Sequence, residues 1–294
     1  MVIGAARSGT TAVYTFLRQH PQVFMSAVKE PNHFAFGVDD LDFRGPGAEF
    51  VNHSMASFER YCGLFAAAPA AAVAGEASPL YLWSEQAPGR IRARIPAARL
   101  IAILRNPIEQ AYSHFLYARK EMIEPLGDFA AALDAQDERL AAHWQPLFQY
   151  SRFPDYATQL GRYLASFPRE QMLLELYDDL VADPQALMRR IFEFIGVDGA
   201  FVPDTSARPN EGGNPRSRVL QSVVMRPNPV SRLAGAVLPQ HLRRWLRDRI
   251  SSGNTARDAI PGPVHERLRE EMRAGIVDLQ RLLGRDLSAW LAPR

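Results

Sequence analysis

The 294-residue sequence predicts an α/β fold in which helices flank a central parallel β-sheet and a helical section follows at the C-terminus. Three observations carry this expectation. Apolar runs of strand length recur at 2–5, 23–27, 72–76, 100–104 and 172–177. Helical patterns lie between several of them, at 10–19, 84–94, 107–121 and 154–166. Such alternation needs crossover helices, and therefore a parallel sheet covered on both faces. Lastly, the first run leads straight into Gly4-Ala5-Ala6-Arg7-Ser8-Gly9-Thr10-Thr11, a glycine-spaced turn that opens a helix.

That opening makes the sheet P-loop-like. A Walker loop reads G-x-x-x-x-G-K-[ST], with its lysine on the β- and γ-phosphates. Gly4 and Gly9 have the right spacing, but Thr10 stands at the lysine position and the cation, Arg7, lies inside the loop. A strand-to-helix turn offers free backbone N–H groups and the positive end of a helix dipole, so the segment is an anion cradle adapted to something other than Mg-ATP.

The remaining elements follow in order. The run 23–27 leads into Lys29-Glu30-Pro31, where proline ends regular pairing. Residues 37–60, rich in Gly, Asp and Asn, read as a long surface insertion. Strand 72–76 ends at Glu76, and strand 100–104 is followed by Arg105, with Ser113 eight residues further along the helix 107–121. Past 200 come a second loop at 203–217, a basic helix around Arg243, Arg244, Arg247 and Arg249, and a charged amphipathic helix at 263–283. The simplest division is one domain over 1–294, with an α/β core at 1–200 and a loop-plus-helix section at 201–294. Ligands on such sheets bind beyond the carboxyl ends of the strands. Arg7, Glu30, Glu76 and Arg105 all follow predicted strands, so they are expected to converge on one edge.

Composition narrows the function classes. A formal charge of +2 provides no global field for nucleic acid. The single cysteine, Cys62, excludes an internal disulfide and a multi-cysteine metal site. The seven histidines show no H-x-x-x-H pair, so no metal is expected. The apolar run 64–74 is too short to span a membrane and is broken by Pro69. With no signal peptide or span visible, a soluble, cytoplasmic protein is expected. The oligomeric state is left open.

Several motifs then align in order. Arg7-Ser8-Gly9-Thr10-Thr11 with His20-Pro21, Lys29-Glu30-Pro31-Asn32-His33-Phe34, Gly75-Glu76-Ala77-Ser78-Pro79-Leu80-Tyr81, Leu104-Arg105-Asn106-Pro107 with Tyr112-Ser113, and Tyr177-Asp178-Asp179-Leu180 resemble the sulfotransferases that use 3′-phosphoadenosine 5′-phosphosulfate (PAPS). The likeness is to the glycan and bacterial types, not to the cytosolic phenol and steroid type with its histidine base. It implies PAPS as sulfuryl donor, no required metal, and a hydroxyl- or amine-bearing acceptor such as a saccharide, a lipid or a small metabolite. It implies that Arg7, Ser8, Gly9, Thr10 and Thr11 hold the 5′-phosphosulfate and that Arg105 and Ser113 hold the 3′-phosphate. The loop containing Asn210, Gly212, Gly213, Asn214 and Arg216 corresponds to the family's last cofactor loop, though with less positive charge than usual.

Glu30 is the implied general base and Arg7 the catalytic cation, with His33 and His53 as competing bases. Lys29, His33, Phe34, Glu76 and Tyr81 are candidates for the acceptor side, and Trp83 and Phe36 extend an apolar wall. Ala77 departs from the family pattern, which places a lysine there. Two other classes compete. A P-loop kinase or NTPase needs a lysine near Thr10 and an Asp after a strand, whereas strand 100–104 ends in Arg105. A non-catalytic nucleotide-binding module would keep the loop as a scaffold only.

Overall fold

The computed structural model describes residues 1–37, 41–206 and 259–293, together with the backbone of two short strands at 214–215 and 255–256. Five parallel strands are β1 (Val2–Gly4), β2 (Val23–Met25), β3 (Val73–Gly75), β4 (Leu100–Leu104) and β5 (Met172–Leu176). β1 pairs with β4 and β4 with β5, while β2 pairs with β3. A parallel bridge between Val2 and Ala77 joins the two parts, giving the order β2-β3-β1-β4-β5. All five residues of β4 are buried, as a central strand covered on both faces requires.

The helices are α1 (Thr10–Leu17), α2 (His33–Phe36), α3 (Glu49–Asn52), α4 (Phe58–Gly63), α5 (Leu80–Trp83), α6 (Ala87–Arg94), α7 (Pro107–Lys120), α8 (Phe129–Asp134), α9 (Gln136–Ala141), α10 (Tyr156–Ser166), α11 (Tyr177–Ala182), α12 (Pro184–Ile195) and α13 (Gly262–Leu283). One sheet face packs Val13, Phe16, Leu17, Leu187, Ile191 and Phe192 of α1 and α12. The other packs a larger cluster from α5 to α10, which α13 extends through Leu268, Ile276 and Leu279. The C-terminal helix is thus part of the core, and Arg285, just past it, makes a bidentate pair with Asp179.

Two sequence expectations change. The helix expected at 84–94 starts three residues later, as α6, because Ser84 ends the short α5 in an extended conformation, donates to Ala35 O at 2.7 Å and accepts from the first N–H of α6, Ala87 N, at 3.2 Å. The segment read as a long surface insertion, 37–60, carries α3 and the start of α4 among its described residues, with Ala48 and Val51 buried. The buried face of α12 is the stripe Leu187, Met188, Ile191 and Phe192, which recurs at helical spacing in the sequence. The basic helix around Arg243 lies outside the described residues. Among the described residues no helix is long and apolar enough to cross a membrane.

Candidate functional site

The loop between β1 and α1 is built by its two glycines. Gly9 caps α1 at φ 88°, in the left-handed region that favours glycine. A Cβ there would lie 2.4 Å from Leu180 and 3.3 Å from Tyr177, and one on Gly4 would lie 2.6 Å from Leu82. Both glycines are therefore forced by close packing of the turn. Ser8 is fully buried, and its N–H donates to Ala5 O at 3.2 Å, which curls the loop. No side chain caps the first turn of α1, so its N–H groups face the loop as anion donors.

Two arginines flank this cradle. Arg7 adopts φ 62°, a strained region for a non-glycine residue, and its guanidinium lies 4.5 Å from the centre of the Tyr117 ring. Burial pulls the Arg7 pKa below its ordinary range; Tyr117, Glu121 and Glu30 pull it upward, and Arg105 lowers it further. Arg105 donates from Nη1 to Arg7 O at 3.4 Å and from Nη2 to Glu109 at 3.3 Å. Its guanidinium lies 4.8 Å from the centre of the Tyr177 ring. Arg7 and Arg105 thus belong to one constellation, each laid on an aromatic face. Ser113 is half-buried on α7, one turn before Tyr117 and on the same face.

Glu30 occupies the turn after β2. Its φ is 60°, its N–H donates to Ala77 O at 3.0 Å, and its side chain is 47% exposed and paired with Lys29. Both residues expected to do chemistry, Arg7 and Glu30, therefore hold left-handed backbone conformations, a form of strain that concentrates at functional sites. Lys29 thus pairs with the residue whose N–H reaches the carbonyl of Ala77.

Other expected site residues lie elsewhere. Phe34 and Tyr81 are 1% and 0% exposed and belong to the core, so neither offers a surface to an acceptor. Of the expected apolar wall, Phe36 and Trp83 remain half-buried, with ring centres 6.5 Å apart. His33 is buried, its Nδ1 bonded to Met55 O at 2.9 Å and its pKa lowered by desolvation, which makes it a structural residue. His53 is exposed at the end of α3. Of the last cofactor loop, Asn210, Gly212, Gly213 and Arg216 lie outside the described residues; the strand Asn214–Pro215 runs beside α7. No group of three or more His, Cys, Asp or Glu among the described residues could hold a metal ion.

Glu76 also departs from expectation. Its carbonyl accepts from Val2 N at 2.9 Å, which places it level with the start of β1, and it is fully buried. Ser78 Oγ donates to its Oε2 at 2.8 Å, with the Tyr81 hydroxyl also beside it. Burial raises its pKa from 4.5 to about 7. A carboxyl raised in the folded state stabilises the fold fully below its unfolded pKa and loses that contribution as pH rises through its folded pKa. Stability should therefore fall by up to about 3 kcal/mol between roughly pH 4.5 and 7. Glu76→Gln should flatten this fall in urea titrations at a series of pH values; an unchanged slope would refute the assignment.

Sequence reasoning gave no place in the site to Gln110 and Tyr117, and quoted Tyr177 only as part of a motif. Gln110 is fully buried and donates from Nε2 to Ala6 O at 3.1 Å, so α7 grips the loop directly. The signal was the helical spacing of Gln110, Ser113 and Tyr117 after Arg105.

Comparison with known proteins gives a consistent picture. A family model described as "Sulfotransferase family" matches residues 1–201. The mouse bifunctional heparan sulfate N-deacetylase/N-sulfotransferase 4 is 30% identical over 206 residues, covering 67% of this chain and 22% of that protein. Mouse carbohydrate sulfotransferase 15 is 27% identical over 241 residues, covering 67% of this chain and 43% of that protein. The chain thus spans less than half the length of these relatives. The crystal structure of a sulfotransferase from Alicyclobacillus acidocaldarius superposes with a TM-score of 0.78 at 27% identity, covering 99% of this chain and 97% of that one.

Proposed function

The chain belongs to the sulfotransferase family, and we propose that it moves a sulfuryl group from PAPS to a hydroxyl or amine acceptor by in-line displacement. The observation that carries this reading is the Arg7–Arg105 constellation at the loop, where Arg105 Nη1 meets Arg7 O at 3.4 Å. Two arginines there suit a donor with phosphate groups at both 5′ and 3′ positions. Loop N–H groups and the Ser8, Thr10 and Thr11 hydroxyls hold the 5′-phosphosulfate; Arg105 and Ser113 hold the 3′-phosphate, joined by the loop that contains Asn214.

In the transfer, Glu30 takes the acceptor proton and the freed lone pair forms a bond to sulfur. The bond between sulfur and the bridging phosphate oxygen breaks, and its electron pair leaves on 3′-phosphoadenosine 5′-phosphate (PAP). Arg7 and the loop donors neutralise the charge that gathers on that oxygen. The protein's contribution is positioning and electrostatics, as in phosphoryl transfer. The names of the relatives favour a saccharide acceptor. The apolar, buried Ala77 argues against a heparan-type acceptor, unless Lys29 substitutes for the missing lysine.

Calorimetry with PAP, ADP and ATP, each with and without EDTA, tests the donor. PAP should bind at least roughly tenfold tighter than ADP, the scale of one charge-assisted contact. EDTA should leave the PAP affinity unchanged. Equal affinities for PAP and ADP would remove the roles given to Arg105 and Ser113.

A further inference from the structure

We propose that Tyr117 is a positioning residue that acts through Arg7: its ring holds the guanidinium against the transferred group and away from the base. The inference rests on the sulfuryl-transfer reading above and adds a residue to it. Its foundation is the guanidinium-to-ring distance of 4.5 Å. A cation over an aromatic face at that range is attracted by the ring quadrupole, more strongly when water is excluded.

The surroundings explain why a holder is needed. Arg7 leaves the loop from a left-handed backbone, at φ 62°, so its side chain starts in a direction set by the turn. Glu30 and Glu121 both attract it electrostatically. A long, rotamer-rich side chain attracted by two carboxylates can swing toward either. If it swung onto Glu30, it would occupy the carboxylate that takes the acceptor's proton and leave the transferred group without its cation. The Tyr117 face gives Arg7 a third, neutral partner that competes with both.

α7 is well placed to supply that partner. Gln110 binds Ala6 O at 3.1 Å, and Tyr117 lies seven residues further, on the same helix face. The two side chains therefore grip consecutive loop residues, Ala6 by its carbonyl and Arg7 by its guanidinium. The Tyr117 hydroxyl is not suited to carry the reaction proton near neutrality, since burial raises its pKa to about 12. The ring, not the hydroxyl, is the working part.

A double-mutant cycle on the full chain tests this, using wild type, Tyr117→Phe, Tyr117→Leu, Arg7→Ala and Arg7→Ala/Tyr117→Leu. Turnover from PAPS and PAP affinity are both read. Tyr117→Phe, which keeps the ring, should retain kcat within about twofold, whereas Tyr117→Leu should lose roughly tenfold. On the Arg7→Ala background, Tyr117→Leu should cost nothing further. A Phe variant as impaired as the Leu variant would assign the role to the hydroxyl and overturn the proposal. An equal loss from Tyr117→Leu with and without Arg7 would reduce Tyr117 to packing and also overturn it. If the Leu variant does not fold, Tyr117→Met takes its place in the cycle. A wild-type chain that binds PAP tightly but transfers nothing would fault the proposed function, and the cycle would then be read in PAP affinity, where the same non-additivity is expected.

Discussion

Glu30→Gln should leave the fold and the PAP affinity intact and lower kcat by roughly 10²-fold or more, the usual scale for losing general-base help. The amide is nearly isosteric, and Glu30 is 47% exposed, so no core packing is disturbed. Its backbone bond to Ala77 O at 3.0 Å does not involve the side chain and survives the substitution. The loss should depend on the acceptor: an acidic phenol needs less proton removal than an aliphatic alcohol and should be impaired less. The controls are His33→Asn and His53→Asn. The buried bond of His33 Nδ1 to Met55 O predicts lower stability for that variant, with no specific loss of kcat once folded protein is counted. An inactive His53→Asn alongside a nearly normal Glu30→Gln would transfer the role of base to the histidine.

Arg7→Ala should act on both binding and catalysis. It removes a cation from the ground-state complex and from the oxygen that gains charge as the S–O bond breaks. PAPS should bind more weakly, and kcat at saturation should fall by roughly 10²–10³-fold, the scale for losing one preorganised donor to a developing oxyanion. The change also relieves a left-handed backbone at an arginine only in part, since alanine is strained there as well. A higher KM with an unchanged kcat would make Arg7 a binding residue alone. Arg7→Lys should recover only part of the rate, because an ammonium group neither stacks on the Tyr117 ring as a planar group nor presents a fork to the phosphosulfate.

The contrast between Glu30 and Glu76 shows where sequence reading reaches its limit. Each follows an apolar run and stands within three residues of a proline, so the local patterns are alike. The register of the sheet separates them. The segment after β3 pairs with Val2 through Ala77, so Glu76 sits at the level where β1 begins and is enclosed by the core. Glu30 is bonded to the next carbonyl along, that of Ala77, and emerges at the surface near Arg7. Phe34 and Tyr81 follow the same logic: motif position placed them at the acceptor side, while their ring contact, with centres 5.7 Å apart, closes the core.

What the chain's composition and spacing decide alone is local. The five strands are legible because strands of a parallel sheet covered on both faces must be continuous apolar runs; 100–104 matches β4 residue for residue, and the other four differ only at their ends. The loop is legible because a left-handed turn and close packing accept only glycine at Gly9, leaving a trace in the spacing. Arg7, Glu30 and Arg105 could be picked out because they lie within five residues of strand ends, where a short turn leaves little freedom. Side-chain neighbours across elements are a different matter. That Tyr117 lies under Arg7, Tyr177 under Arg105 and Gln110 against Ala6 depends on which face α7 turns to the loop and where α11 leaves β5. Those orientations are set by burial of the opposite faces in a core shared by distant segments, a collective minimum of packing that no short window of sequence contains.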